Sequence, residues 1–208
     1  MPGGTPIIPV SIAVKDETPS ILEHIERYLG PIQESWSSLP DGEVCPFQVV
    51  RYSGRVEDTA FFSTLGLSSA VANAAAGGTG GCLRQELLMA VPESFGKRNV
   101  PTLAQQLGMI ALKRERPVAR GEIVAGKNPL FPRRPFRGFY ASPPCVIAED
   151  AFEVCTREDG RKVGFLWMVP VYQREMDFVR QHGFSRLEEL IIERELDLVD
   201  VDRKSAVK

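Results

Sequence analysis

The nine residues Val163-Gly-Phe-Leu-Trp-Met-Val-Pro-Val171 limit what this chain can become more than any other stretch. They carry no charge and no polar alternation, and they are rich in β-branched and aromatic side chains. Such a run is a strand that is apolar on both faces, and it is stable only inside a sheet covered on both sides. Asp159-Gly160 stands just before it and signals a tight hairpin, with Phe152 and Val154 alternating with Glu153 and Thr156 on the partner strand.

The rest of the chain supplies the covering layers. Thr18, Pro19 and Gly30 bracket a helix with Ile21, Leu22, Ile25, Tyr28 and Leu29 on one face. His24 falls just off that face, which predicts an exposed ring. A loop at Pro40 to Gly42 precedes two strand-like runs, Phe47 to Ser53 and Thr59 to Leu65. Asn73 to Gly81 reads as a mobile loop. A strand follows from Leu83, with Leu87, Met89 and Val91 on one face and Arg84 and Glu86 opening the other, until Pro92 stops it. Leu103, Leu107, Ile110 and Ala111 mark a helix between Pro101 and Pro117. Gly121 to Pro135 is a short strand and a proline-rich loop, and Arg137 to Ala141 is another strand. Tyr172, Met176 and Val179 share a helix face that ends at Gly183. Ser185 and Glu188 then form a capping box for a last helix packed through Leu187, Leu190 and Ile191.

These elements predict one α+β domain over 1–208, a mixed but largely antiparallel sheet packed with helices. Its core spans about 18–200, with 1–15 and 200–208 as tails, on the periodicity of the elements. Charge and composition exclude several functions. A net charge of −2, from 25 basic and 27 acidic residues, gives no field for a phosphate backbone, so no nucleic acid is expected. Met1 to Val14 has no basic start, and Ile7-Ile8-Pro9-Val10 is too short for a signal peptide or membrane span. The chain is therefore expected to be soluble and cytoplasmic. Cys45, Cys82, Cys145 and Cys155 form no CxxC pair, and only His24 and His182 could complete a metal shell. Reduced thiols are expected, with no metal and no cofactor.

Several motifs suggest chemistry and then fail on context. Gly121 to Asn128 matches the phosphate-binding pattern GxxxxGK[ST] except for the final hydroxyl, and Pro129, Pro132 and Pro135 forbid the helix it must open. Asp197, Asp200 and Asp202 lack the glycine and distal glutamate of a calcium loop, so they read as a solvated tail. Gly66-Leu-Ser-Ser-Ala70 is half of a nucleophile elbow. Neither His24 nor His182 has an orienting partner that the sequence identifies. Glu86 with Glu93, or Glu149 with Asp150, could be an acid/base pair, but solvated charges at strand ends are the plainer reading. Phe131-Pro-Arg-Arg-Pro-Phe136 is the segment that favours an interface, because arginine and aromatics concentrate at binding hot spots. Arg133, Arg134 and Phe136 are accordingly the expected partner contacts, and no residue is expected to be catalytic.

A family resemblance runs through the same residues. Phe62 to Ser68 (FSTLGLS), Leu83 to Ala90 (LRQELLMA), Phe165 to Val171 (FLWMVPV), Glu175-Met176 and Val201 to Ser205 (VDRKS) resemble, in order, motifs of suppressor-of-fused domains. The turn from Gly121 to Asn128 falls where that family carries a G-x-x-x-x-G/N turn. Val201 and Lys204 depart from the prolines usual in the family's tail. The resemblance implies an α+β binding domain without enzymatic activity. Animal members sequester a zinc-finger transcription factor by gripping a peptide as a strand between two domains, whereas this chain reads as one domain. Single-domain bacterial members are immunity proteins that neutralise polymorphic toxins. The expected partner is therefore another protein, a toxin domain or a regulatory partner. The residues leave open a hydrolase-like enzyme with a carboxylate-lined cleft, a structural subunit of a larger assembly, and the oligomeric state.

Overall fold

The computed structural model describes residues 20–53, 55–74, 84–157 and 159–208. The apolar run 163–171 is the interior strand that its composition requires. As β8, Lys162–Tyr172, it pairs in parallel with β4, Arg84–Pro92. Its other edge pairs antiparallel with β7, Val154–Thr156, and then with β6, Phe136–Ser142. Outward from β4 lie β3 (Thr59–Leu65), β2 (Val44–Tyr52) and β1 (Ile32–Ser38), and beyond β6 lies β5 (Ile123–Ala125). The sheet order is β1-β2-β3-β4-β8-β6-β5, antiparallel everywhere except β4–β8. The α+β class holds as expected.

Strand alternation divides the buried side chains into two cores. Leu87, Met89 and Val91 of β4 join Phe47, Phe62 and Phe136 in one core. Against it pack α2 (Leu67–Ala74) and α3 (Val100–Lys113). Leu88 and Ala90 point the other way, into a core with Tyr52, Phe61, Phe165 and Trp167. Ile25 and Leu29 of α1 (Ile21–Leu29) and Met176 of α4 (Gln173–His182) close that side. Full burial of each large apolar side chain contributes about 1.5–3 kcal/mol, so a strand like β8 is stable only with both layers present. In α3, a Cβ on Gly108 would lie 2.3 Å from the Phe47 ring, so glycine lets helix and sheet approach.

Several expectations need correction. The first helix is capped by Ser20, with Glu23 returning the bond, while Thr18 and Pro19 lie outside the described residues. Strand β1 was not expected because Ile32 to Ser38 is mostly polar. It is an edge strand, where only one face needs apolar cover. Asn73, expected in a loop, belongs to α2, and 75–83 lies outside the described residues. His24 is buried, stacked on Phe152 and Phe165, with Nε2 3.1 Å from the Phe152 carbonyl oxygen. The last helix, α5, Phe184–Glu193, starts directly after Gly183, so Ser185 is inside it and caps nothing. Glu188 instead accepts a hydrogen bond of 2.6 Å from the Tyr140 hydroxyl. Residues 200–208 are no solvated tail, because Val201, Arg203 and Ala206 are buried.

Candidate partner-binding site

The loop between β5 and β6 is built from its main chain outward. Gly126 N donates to the Arg137 carbonyl at 2.7 Å, Leu130 N to Phe136 at 2.9 Å, and Arg134 N to Phe131 at 3.2 Å. Asn99, at the start of α3, donates from Nδ2 to the Leu130 carbonyl at 2.6 Å. Helix and loop are thereby held on either side of a groove of about 730 Å³. Its walls include Leu39, Leu103, Met109, Ile110, Ala125 and Leu130. One side of this groove is the open edge of β5. Gly126 N bonds towards β6, so by strand alternation the N–H and C=O groups of Ile123 and Ala125 face away from β6. An apolar trough beside free main-chain groups can take an extended peptide.

The three expected contacts are in this loop but in different settings. Arg133 is exposed, at a left-handed φ of 62°. Arg134 is held inward. Its Nε donates to the Val201 carbonyl at 3.1 Å, its guanidinium pairs with Asp202 at 2.7 Å, and it lies 4.9 Å from the Phe95 ring centre. Phe136 is 1% exposed, packed among Phe131, Tyr172 and Arg203. Phe136 therefore supports the loop from below and does not present its ring to a partner. The sequence reading begins the next strand at Arg137, one residue late, and carries no mark of the core face to which Phe136, the first residue of β6, belongs.

The residues that fix the loop were not singled out as a site. Arg203 forms a buried ion pair with Glu175, 2.8 Å from Nη1 to Oε1, and donates from Nη2 to the Pro170 carbonyl at 2.9 Å. Glu175 also accepts from the Ala206 N–H at 2.6 Å and the Tyr172 N–H at 2.9 Å. The Tyr172 hydroxyl donates to the Arg203 carbonyl. This segment ties the Arg134 loop to α4. The signal that could have found it is the charged pair itself, Glu175 in a helix's first turn and Arg203 directly after Asp197, Asp200 and Asp202.

The groups weighed for catalysis do not converge. Glu86 is fully enclosed, accepting from the Thr64 hydroxyl at 2.7 Å and from the N–H groups of Gly66, Leu67 and Ser68 at 3.0–3.3 Å. Burial pushes its carboxyl above the ordinary carboxylate range, against the pull of those hydrogen bonds. The half-elbow Gly66-Leu-Ser thus starts α2 around a buried carboxylate. Glu93 pairs at the surface with Arg51. His182 Nδ1 meets the Phe178 carbonyl at 3.2 Å, and burial lowers the His24 pKa. The Gly121 to Asn128 turn runs through β5 rather than into a helix, as its prolines require. Among the described residues, no helix is long and apolar enough to cross a membrane.

Residues 44–204 match the model of the family described as suppressor of fused protein. No match is found among curated proteins. Among solved structures, a protein described as a suppressor-of-fused homologue from Neisseria gonorrhoeae aligns with a TM-score of 0.68 at 20% identity, over 90% of this chain and 95% of that one. A Sufu–Fu complex aligns with a TM-score of 0.66 at 13% identity, over 89% and 90%. Drosophila Suppressor of Fused aligns with a TM-score of 0.56 at 15% identity, over 77% of this chain and 43% of that one.

Proposed function

This chain belongs to the suppressor-of-fused family, and we propose that it is a cytoplasmic, non-enzymatic domain that binds another protein through the α3–β5 groove. The observation that carries the reading is the apolar trough of Leu103, Met109 and Ile110 beside the open edge of β5. A partner segment would add its main chain to Ile123 and Ala125 and place alternate side chains in the trough. The exposed Arg133 on the adjoining loop would meet a polar or acidic flank, with Arg134 fixed behind it. That a similar fold is found in a Sufu–Fu complex supports a binding role. The finer reading is an immunity-type role, in which the partner is a toxin domain met in the cytosol.

The test is affinity capture with the wild-type chain and with Met109→Asp, followed by titration of whatever protein is retained. A stoichiometric partner held by the wild type and lost by the variant supports the groove, and inhibition of a toxic activity of that partner supports the immunity role. A partner that binds both chains with equal affinity overturns the groove, and no partner at all overturns the binding role.

A further inference from the structure

The floor of the α3–β5 groove is not flat. A recess of about 50 Å³ runs from it towards the core. Leu103, Ile110 and Leu130 line both the groove and the recess, while Leu107, Val124 and Phe139, all buried, line the recess alone. A water molecule takes about 30 Å³ in the liquid, so the recess has room for a short branched aliphatic side chain and none for an aromatic ring. Gly126 keeps it open on the loop side, since a Cβ there would come within 3.2 Å of Leu130 Cδ2. Among the described residues, Gln106 is the one polar side chain lining it, so a charged group would lose its water there for little return.

Strand pairing fixes which residue of a partner would meet the recess. Glu122 and Gly126 bond to β6, so by alternation Val124 does as well, and the main-chain groups of Ile123 and Ala125 face outward. A strand added antiparallel would bond to Ile123 and Ala125. The residue between those bonds would stand directly opposite Val124, in the closer kind of antiparallel pair, with Cα atoms about 4.5 Å apart. The side chain of Val124 belongs to the core that α3 covers. A side chain directly opposite it shares its face, and so enters the recess.

Both ends of the groove are basic. Asn99, at the start of α3, bonds to Leu130, and Arg114, at its end, pairs with Glu122 at 2.7 Å, so α3 runs antiparallel to residues 122–130. Lys113 therefore stands at the Ile123 end of the groove, and Lys127 just past Ala125. Both lysines are exposed, and neither is in ion-pair range of a carboxylate among the described residues. Glu122 is already engaged by Arg114 and Arg116, and Asp41, which also lines the groove, accepts from the Glu43 N–H at 3.2 Å. On an added strand, the side chains two residues to either side of the one opposite Val124 lie on the same face and reach towards these lysines. Resting on the groove as the site of partner binding, we propose that it selects an extended segment with one valine- or isoleucine-type side chain in the recess and an acidic side chain two residues to each side.

The probe is a synthetic peptide with blocked ends, Ser-Glu-Thr-Val-Thr-Glu-Ser, titrated into the full wild-type chain. Its central valine is replaced in turn by alanine, leucine, phenylalanine and lysine. Hydrogen exchange at the Ile123 and Ala125 amides should slow on binding. The valine peptide should bind at least about 10-fold more tightly than the alanine, phenylalanine or lysine peptides, on the apolar area that it alone buries. Leu103→Ala, at a partly buried position, enlarges the recess and should turn the preference from valine to leucine, which a general loss of stability cannot do. Lys113→Glu with Lys127→Glu should weaken the peptide several-fold, and lysines in place of its two glutamates should restore it. Equal affinity for every central residue, with Ile123 and Ala125 still protected, overturns the selection and leaves the groove standing. An unchanged order of peptides in Leu103→Ala does the same. Binding that ignores the lysine exchange overturns the acidic flanks. No binding by any peptide overturns the selection, whereas the groove itself stands or falls on Met109→Asp against a captured partner.

Discussion

Two glutamates, Glu86 and Glu175, are both 0% exposed, and the molecule accommodates their charge in different ways. Glu175 meets a cation, since Arg203 returns from the C-terminal segment to pair with it, and two N–H groups complete its shell. Among the described residues, Glu86 is hydrogen-bonded only to neutral donors, the Thr64 hydroxyl and the three N–H groups that open α2. A helix start favours an anion through its free N–H groups and its dipole, but it does not cancel a full charge. The Glu86 carboxyl is accordingly pushed upward by burial. One region is a strap held by an ion pair, and the other is a turn organised around a carboxylate that keeps its desolvation cost.

Removing one partner from a buried ion pair leaves the other charge uncompensated. Arg203→Ala should lower stability by about 3–5 kcal/mol in urea unfolding. Replacing both Arg203 and Glu175 with methionine should recover most of that loss, since apolar residues of similar volume often substitute for a buried pair. A double variant no more stable than Arg203→Ala would show that the two residues act through something other than their pairing.

Glu86→Ala should cost somewhat less, roughly 2–4 kcal/mol, because it leaves neutral buried donors without an acceptor rather than a bare charge. A loss equal to that of Arg203→Ala would erase the distinction between the two regions.

The pH response separates them further. The folded-state pKa of Glu86 is raised above the ordinary 4.5, so folding favours its protonated form. Its contribution to stability is therefore full below pH 4.5 and is lost as pH rises through the folded pKa. Measured by thermal melts across that window, the wild type should lose stability relative to Glu86→Gln as pH increases. A constant difference between the two would mean that Glu86 does not titrate in the fold.

Smaller effects test the edges of the strap. Tyr172→Phe removes the hydroxyl bond to the Arg203 carbonyl and should cost about 1 kcal/mol. Arg133→Glu, on the exposed part of the loop, should change stability by less than about 0.5 kcal/mol. A larger loss there would place Arg133 within the strap rather than on a free surface.

The legible parts of the fold are those where local pattern and tertiary role agree. β3 occupies Thr59–Leu65 as its residues indicate, Gly30 and Gly183 end their helices, and Asp159-Gly160 turns β7 into β8. The order of family motifs gave the fold family. Errors gather where a polar residue is satisfied by something distant in sequence. Glu86 looked like a strand-end charge because its donors lie 18–22 residues earlier. Residues 200–208 looked like a tail because Glu175 is 28 residues before Arg203. Of the candidate site, sequence located the loop, but the α3 wall came from packing alone.

Alternation, helix periodicity and turn residues act over a few bonds, so sequence by itself determined where most of the strands and helices form, with β1 and α2 the exceptions. It also determined that one strand must lie inside a sheet covered on both faces. Which face Phe136 would bury, which carboxylate would find an arginine, and which strand edges would stay open were decided only by the tertiary structure. Those outcomes depend on partners brought together by the closing of the whole chain, and the energy of burying a polar group is set by the partner it meets there.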